Sequence, residues 1–414
     1  MLEVAQRPPP TLSDPHRGRP PFKLLSILAL VLVLGGVSAF FFSDRSRAAT
    51  GAYSAWISWP AVNGAATARI ELNGHLIDEV RAGGGRRYQL HGLWPATRFR
   101  VEIDMLGRGG RVLARYHRRL RTARAQRPFR RLYSPTAFIN QPIPSAPSVA
   151  AGSAGMIADA IESDIASANL ANDEHWGIPI VTADAQSQQS RVACTTYGCA
   201  HRIGAVRIPT GAEADTGSDH HLVVLQPNGN ELDMWIGLHT ATGWTAAIRW
   251  LESASGPAAN CISRTACGGA DAADFALGAG VVRPEEIAQG HIDHALAITT
   301  PITRQGYVAC PAGHGDGRHN DPNALPIGAH LQLDPAVDVA ALPIAPWKKV
   351  IAVALQRYGA YVVDTGGSIA LYAQSDLGRG YNAWAKAGVP SDSPKLTDLP
   401  WGSMRVLSMT RCSY

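Results

Sequence analysis

The stretch GSDHHLVVLQPNGNELDMWIG, residues 217–237, reads as two apolar segments joined by Asn228-Gly229. Asn-Gly between apolar runs is the strongest short-range hairpin signal, because both residues accept the positive φ of a tight turn. A hairpin here commits the surrounding chain to β-structure. A two-residue turn sets Pro227 opposite Asn230 and Val224 opposite Asp233. Asp233 and Trp235 then share a face with Leu222, Val224 and His220, and His221 points the other way. A one-residue slip exchanges the faces, because side chains alternate with period two. The sequence does not choose the register, but in either one a histidine lies on the face of an aspartate and a tryptophan.

That trio has a chemical use. A Trp face stacks on the apolar side of a sugar, a carboxylate acts as acid, base or nucleophile on a glycosidic bond, and a histidine moves protons near neutral pH. Trp235 in the core and His220 and His221 at a loop end is the plain structural reading of this stretch taken alone. The rest of the chain adds weight to the chemical one. GHIDHALAITTP carries His291 and His294 beside Asp293, CPAGHGDGRHNDP carries His314 and His319 with Asp316 and Asp321, and YVVDTGG ends a strand at Asp364. Histidines and aspartates at strand ends and in loops are the usual material of a site. No Walker loop, GxSxG elbow, HExxH or GxGxxG fingerprint is present, which lowers those chemistries.

Working outward, the body reads as β-rich α+β over residues 151–414. A helix is expected over Ser153–Ala171, from apolar residues at helical spacing in MIADAIESDIASANLA. Strands are expected at IPIVTA, AVRIP, HLVVLQ, ELDMWIG and WTAAIRWL, then a helix from Pro346 ending at Gly359, and strands at YVVD and SIALYA. The pattern SD-x-H-LVV, an acidic residue before Trp, RPEEI…IDHAL and YGAYVVD-x-G resembles a group of exported bacterial proteins of undetermined activity, over roughly residues 175–405. The resemblance implies His221, Asp233, His294, His314 and Asp364 as shared polar positions and supplies no reaction. His291 stands where the group usually has an arginine.

Ahead of the body, residues 51–123 alternate in short strands around turns, with Asn73-Gly74 inside ARIELNGHLIDEV. In YQLHGLWPATRFRVEI, Leu93, Pro95, Thr97 and Phe99 match a Leu-x-Pro-x-Thr-x-aromatic corner, with Phe99 where a tyrosine is usual. This resembles the fibronectin type III module and implies a seven-strand β-sandwich, a module that in exported bacterial proteins commonly serves as a spacer beside carbohydrate-active domains. Residues 124–150 read as a Pro-containing linker.

Charge is unevenly spread in this 414-residue chain of net charge +5. Fifteen arginines lie between Arg81 and Arg131 against only Glu102 and Asp104, while from residue 132 onward 16 Lys and Arg face 25 Asp and Glu. The arginines read as a solvated strand face or as a contact for an anionic polymer or lipid headgroups. No nucleic-acid-binding motif accompanies them, and nucleic acid is excluded as a partner.

Residues 24–42, LLSILALVLVLGGVSAFFF, hold no charge and approach the length of a spanning helix. Arg17, Arg19 and Lys23 precede them, so a cytoplasmic tail (1–23) and an uncleaved signal anchor are expected, with a cleaved signal peptide as the alternative. The expected placement is a single-pass membrane protein with its C-terminal domains outside the cytoplasm. The expected fold class is mainly β: a transmembrane helix, a fibronectin type III sandwich, then a β-rich α+β domain. All six cysteines, Cys194, Cys199, Cys261, Cys267, Cys310 and Cys412, fall beyond residue 190. Their even number suggests disulfides, most simply Cys194/Cys199, Cys261/Cys267 and Cys310/Cys412.

Three functions are open to such a chain. The favoured one is an enzyme cleaving a polysaccharide, more a glycoside hydrolase than a lyase, with Asp233 and Asp364 as carboxylates, His221 and His294 as proton carriers, and Trp235, His220 and His314 binding substrate. It requires no cofactor. A lyase would use Tyr358 or Tyr361 as base. The others are a glycan-binding or adhesion protein, and a hydrolase with a metal held by three histidines and an aspartate.

Overall fold

Asn73 and Gly74 turn the chain back on itself with φ of 54° and 89°, the pair of positive values a type I′ turn needs, so Leu72 pairs with His75. This hairpin joins β2 (Ala65–Leu72) to β3 (His75–Arg81). With β5 (Arg98–Gly107) and β6 (Val112–Arg121) they form a four-stranded antiparallel sheet in the order β3-β2-β5-β6. β1 (Ala55–Ser58) and β4 (Arg87–Leu90) pair into a second sheet. Inward residues of both sheets, among them Ile57, Trp59, Ile70, Tyr88, Phe99 and Ile103, bury a separate core. The computed structural model describes residues 50–259 and 268–412. Among these the sandwich has six strands rather than seven, since ahead of β1 only an isolated Thr50–Ala55 bridge remains.

Phe99 has no hydroxyl, and the body supplies one. Tyr381 packs edge-on against the Phe99 ring at 5.3 Å and donates its hydroxyl to the Gly92 carbonyl at 2.6 Å. The buried Asp78 of β3 accepts from Ser187 Oγ at 2.6 Å and from the Thr210 N–H at 2.9 Å. These contacts fasten the sandwich to the body. The segment 124–150 also lies on the body: Tyr133 and Ile139 are buried in its core.

The body is built on two main sheets, with three smaller ones of two or three strands beside them. α1 covers only Ser153–Ala160, and the chain is not one helix to residue 171. Ser163 donates to the Asp159 carbonyl and Ser167 to the Asp164 carbonyl, side-chain bonds that compete with helical pairing. A 3-10 turn comes next, and the expected last helical residues instead form β7 (Asn169–Ala171). Then come β8 (Ile178–Thr182), β9 (Leu222–Leu225), β10 (Asn230–Trp235) and β11 (Ile248–Ser253). α2 (Pro284–Gln289) leads to β12 (Leu296–Thr300) and β13 (His330–Leu333). α3 (Pro346–Arg357) closes at Gly359, whose φ is 76°. The last strands are β14 (Ala360–Thr365), β15 (Ala370–Tyr372), β16 (Gln374–Ser375) and β17 (Met404–Val406). One sheet runs β11-β10-β9-β8-β16 and the other β17-β13-β14-β12-β15-β7. Disulfides Cys194–Cys199 and Cys310–Cys412 are formed. Cys261 and Cys267 lie outside the described residues.

The chain is mainly β. The membrane part of the expected fold class and placement needs correction. Among the described residues no helix is long and apolar enough to cross a membrane, and the apolar run 24–42 lies outside them. The described residues thus hold no spanning helix, and the single-pass assignment is set aside.

Candidate functional site

β7 and β15 run parallel at the edge of one sheet, and their continuations β8 and β16 run parallel in the other. Only Ala373 separates β15 from β16, so two neighbouring strands leave one sheet together and enter the next. A cavity of about 610 Å³ opens at this seam. Its wall draws Asp173, His175 and Trp176 from the β7–β8 connection, Asp215, Asp219 and His221 from the approach to β9, Thr299 from β12, Asp364 and Thr365 from β14, Tyr372 from β15, and Lys395.

Asp364 reaches the cavity through an irregularity in pairing. β12 and β14 pair Ile298 with Val362 but Thr299 with Asp364, so Val363 is an extra residue, a bulge that re-aims the side chains beyond it. Gly366 comes next, where a Cβ would stand 2.5 Å from Thr299 Oγ1. Burial raises Asp364 to about 7, with the nearby Asp316 and Asp219 pushing the same way. The Tyr372 hydroxyl donates to Asp364 Oδ2 at 3.2 Å and opposes the rise.

Asp219 is half-buried on the facing segment. Trp235 Nε1 donates to its Oδ1 at 3.3 Å. The backbone around it is strained: His220 and Ile236 hold φ of 42° and 51°, a region costly for a β-branched residue. The strain is held by two bonds, from the Ile236 N–H to the Asp219 carbonyl at 2.7 Å and from the Gly237 N–H to the His220 carbonyl at 2.9 Å. Asp215 sits behind. It accepts from the backbone N–H groups of His221 and of Gly217, the latter at 2.9 Å, and burial still raises it to about 6. Its Oδ2 lies 3.7 Å from His221 Nδ1. Burial lowers His221 to about 4, so its imidazole is neutral at physiological pH. Gly217 is required here, since a Cβ would meet the His175 carbonyl at 2.1 Å.

The hairpin adopts the slipped register. Pro227 fixes the φ that suits the first central position of a type I turn and has no N–H to pair. The connection is therefore a three-residue loop, with the Gln226 N–H on the Asn230 carbonyl at 2.7 Å and Gly229 alone taking positive φ, 87°. Val223 faces Asp233 and Leu222 faces Met234, so Asp233 and His221 share a face. That face turns inward at Asp233, which is 0% exposed. Its Oδ2 accepts the Leu277 N–H at 2.9 Å, and burial, with Glu231 and Glu252 alongside, raises it well above the usual carboxylate range. Asp233 does not line the seam cavity.

Of the other candidates, His221 and Asp364 line the cavity together and Trp235 supports it through Asp219. His220 bonds the Asp215 carbonyl through Nδ1 at 3.0 Å. His294 is elsewhere, buried against Glu286 at 3.1 Å beside Arg283. His314 sits on the Ala272 carbonyl at 3.2 Å and is not part of the wall. Tyr358 and Tyr361 are core residues, the latter stacked on His330 at 4.0 Å. Among the described residues no three His, Cys, Asp or Glu side chains are grouped to share a metal ion. Sequence reading missed Asp173, Trp176, Asp215, Asp219, Tyr372 and Lys395. The one local signal was the acidic spacing in ADTGSDHH.

No family model and no curated protein matches the chain. Among solved structures, a family 28 exopolygalacturonase of Yersinia enterocolitica is 12% identical over 19% of this chain and 19% of that one, with a TM-score of 0.17. The central fibronectin-III array of RIM-binding protein is 22% identical over 21% of this chain and 34% of that one, with a TM-score of 0.16. The chain thus spans a fifth to a third of these neighbours. Likenesses this small carry no argument, and the site is read from its own geometry.

Proposed function

We propose that the chain is a glycoside hydrolase that cleaves a polysaccharide at the seam cavity, with Asp364 as general acid and Asp219 as its partner carboxylate. The observation that carries this reading is that two carboxyl groups held by different partners line one cavity. Asp364 is half-buried, and the partial loss of water around its carboxyl holds its proton up to about pH 7, which suits donation to a leaving oxygen. Asp219 is likewise half-buried, lines the cavity and has Oδ1 held by Trp235. Two carboxyl groups at one site are the minimum machinery for glycosidic hydrolysis. Asp215 and His221 stand behind Asp219 as positioning residues. Trp176, 51% exposed at the cavity wall, offers a ring face for a sugar.

Elimination has less support, because Tyr358 and Tyr361 are core residues and the one tyrosine at the cavity, Tyr372, is raised well above its ordinary value by burial. The test is to incubate the protein with bacterial and plant polysaccharides and read reducing ends together with the ultraviolet absorbance of unsaturated uronates. Reducing ends without absorbance, lost in Asp364→Asn, support hydrolysis. Absorbance would show a lyase, and binding without turnover would show a glycan-binding protein.

A further inference from the structure

The outer face of the sandwich treats its charges differently at its two ends. Toward the middle of β5 and β6, Glu102 faces His117 and Asp104 faces Arg115. Arg115 is the cation for both acids, with Nε 2.7 Å from Asp104 and 2.9 Å from Glu102. At the other end of the same two strands, Arg98 faces Arg121 and Arg100 faces Arg119. All four are exposed, and among the described residues none is in an ion pair. Like charges directly opposite are destabilising. Facing side chains start about 5 Å apart and the next pair about 7 Å along the strand, so four guanidinium groups crowd one small patch. A merely solvated face would gain from acidic partners, as the same strands show two residues away.

The patch also has a place. Arg100 exchanges two hydrogen bonds with Asn73, whose amide donates to the Gly380 carbonyl of the body at 3.3 Å. Next to Asn73, His75 reaches Glu213 at 4.0 Å, two residues before Asp215 of the cavity. The arginines thus lie at the body-facing end of the sheet. The cavity wall itself carries a cation, Lys395.

We infer that Arg98, Arg100, Arg119 and Arg121 form a binding surface for an acidic polysaccharide, one bearing carboxylate or sulfate groups along its chain. Guanidinium pairs bind such oxyanions in forked hydrogen bonds, and a polymer with repeated anions relieves the repulsion at all four positions at once. The inference stands on the sandwich and does not need turnover at the cavity.

The test measures binding of the full chain to polygalacturonate and to the same polymer with its carboxyl groups reduced to alcohols. The acidic polymer is expected to bind about tenfold tighter or more, with the preference fading toward about 0.3 M salt, where the Debye length falls below ~6 Å. Replacing all four arginines by glutamine removes that preference and leaves Tm unchanged or higher, because repulsion is removed with it. Replacing Arg108 and Arg111, exposed at the opposite end of the same two strands, by glutamine leaves the preference as in the parent, which separates this patch from the net charge of the sandwich. Equal affinity for the two polymers, undiminished binding by the four-glutamine variant, or attachment to phosphatidylglycerol vesicles in place of the polymer would each overturn the assignment.

Discussion

The Tyr372 hydroxyl donates to Asp364 Oδ2 at 3.2 Å, and it is a donor that favours the ionised carboxyl of a group otherwise held protonated by burial. Activity that needs the protonated acid falls as pH rises through about 7. Tyr372→Phe removes the donor, raises the Asp364 pKa and moves this alkaline limb upward. A hydrogen bond of about 1 kcal/mol corresponds to somewhat under one pH unit. Profiles of kcat/KM for the two proteins check the direction.

The same group governs stability. Its folded pKa lies above its unfolded value, so the folded state binds the extra proton and this contribution is lost as pH rises through about 7. Asp364→Asn therefore raises Tm by a few degrees near pH 8 and gives no such gain near pH 4. Thermal melts across that range carry the sign.

Trp235 acts through Asp219. Trp235→Phe keeps a ring in the partly buried site and removes the N–H on Oδ1. The expected effect is a kcat lower by about tenfold, since small misplacements of a reacting group are costly, with KM little changed. A large rise in KM with kcat intact would make Trp235 a sugar platform instead.

Arg379 and Glu285 form an ion pair with side chains only 5% and 2% exposed, and the same guanidinium reaches the Gly92 carbonyl of the sandwich at 3.3 Å. Glu285→Ala strands a buried charge at the junction and costs about 3–5 kcal/mol. Denaturant unfolding gives the loss, and hydrogen exchange in β4 and β5 shows whether the sandwich loosens with it.

Local signals carried the sandwich: alternation in β2 and β3, the Asn73-Gly74 turn and the corner at Phe99 are properties of neighbouring residues. The second Asn-Gly misled by one residue because Pro227 enlarged the loop, and the one-residue shift moved Asp233 from the face of Leu222 and Val224 to that of His221 and Val223. His221 and Asp364 were legible as polar residues bordering apolar strands. Their partners were not, because the seam gathers residues from 173 to 395 through a crossing of strands between sheets that no local pattern encodes. Tyr381 shows the same limit, standing in space for a hydroxyl that the corner motif places at position 99.

The most direct measurement is the rate of reducing-end release from an acidic polysaccharide by the parent protein, Asp364→Asn and Asp233→Asn side by side, each corrected for folded fraction. Turnover is expected from the parent and from Asp233→Asn, with a loss of about a hundredfold or more in Asp364→Asn. Turnover retained in Asp364→Asn and abolished in Asp233→Asn would move the chemistry to the buried face of the hairpin and contradict the assignment of the seam.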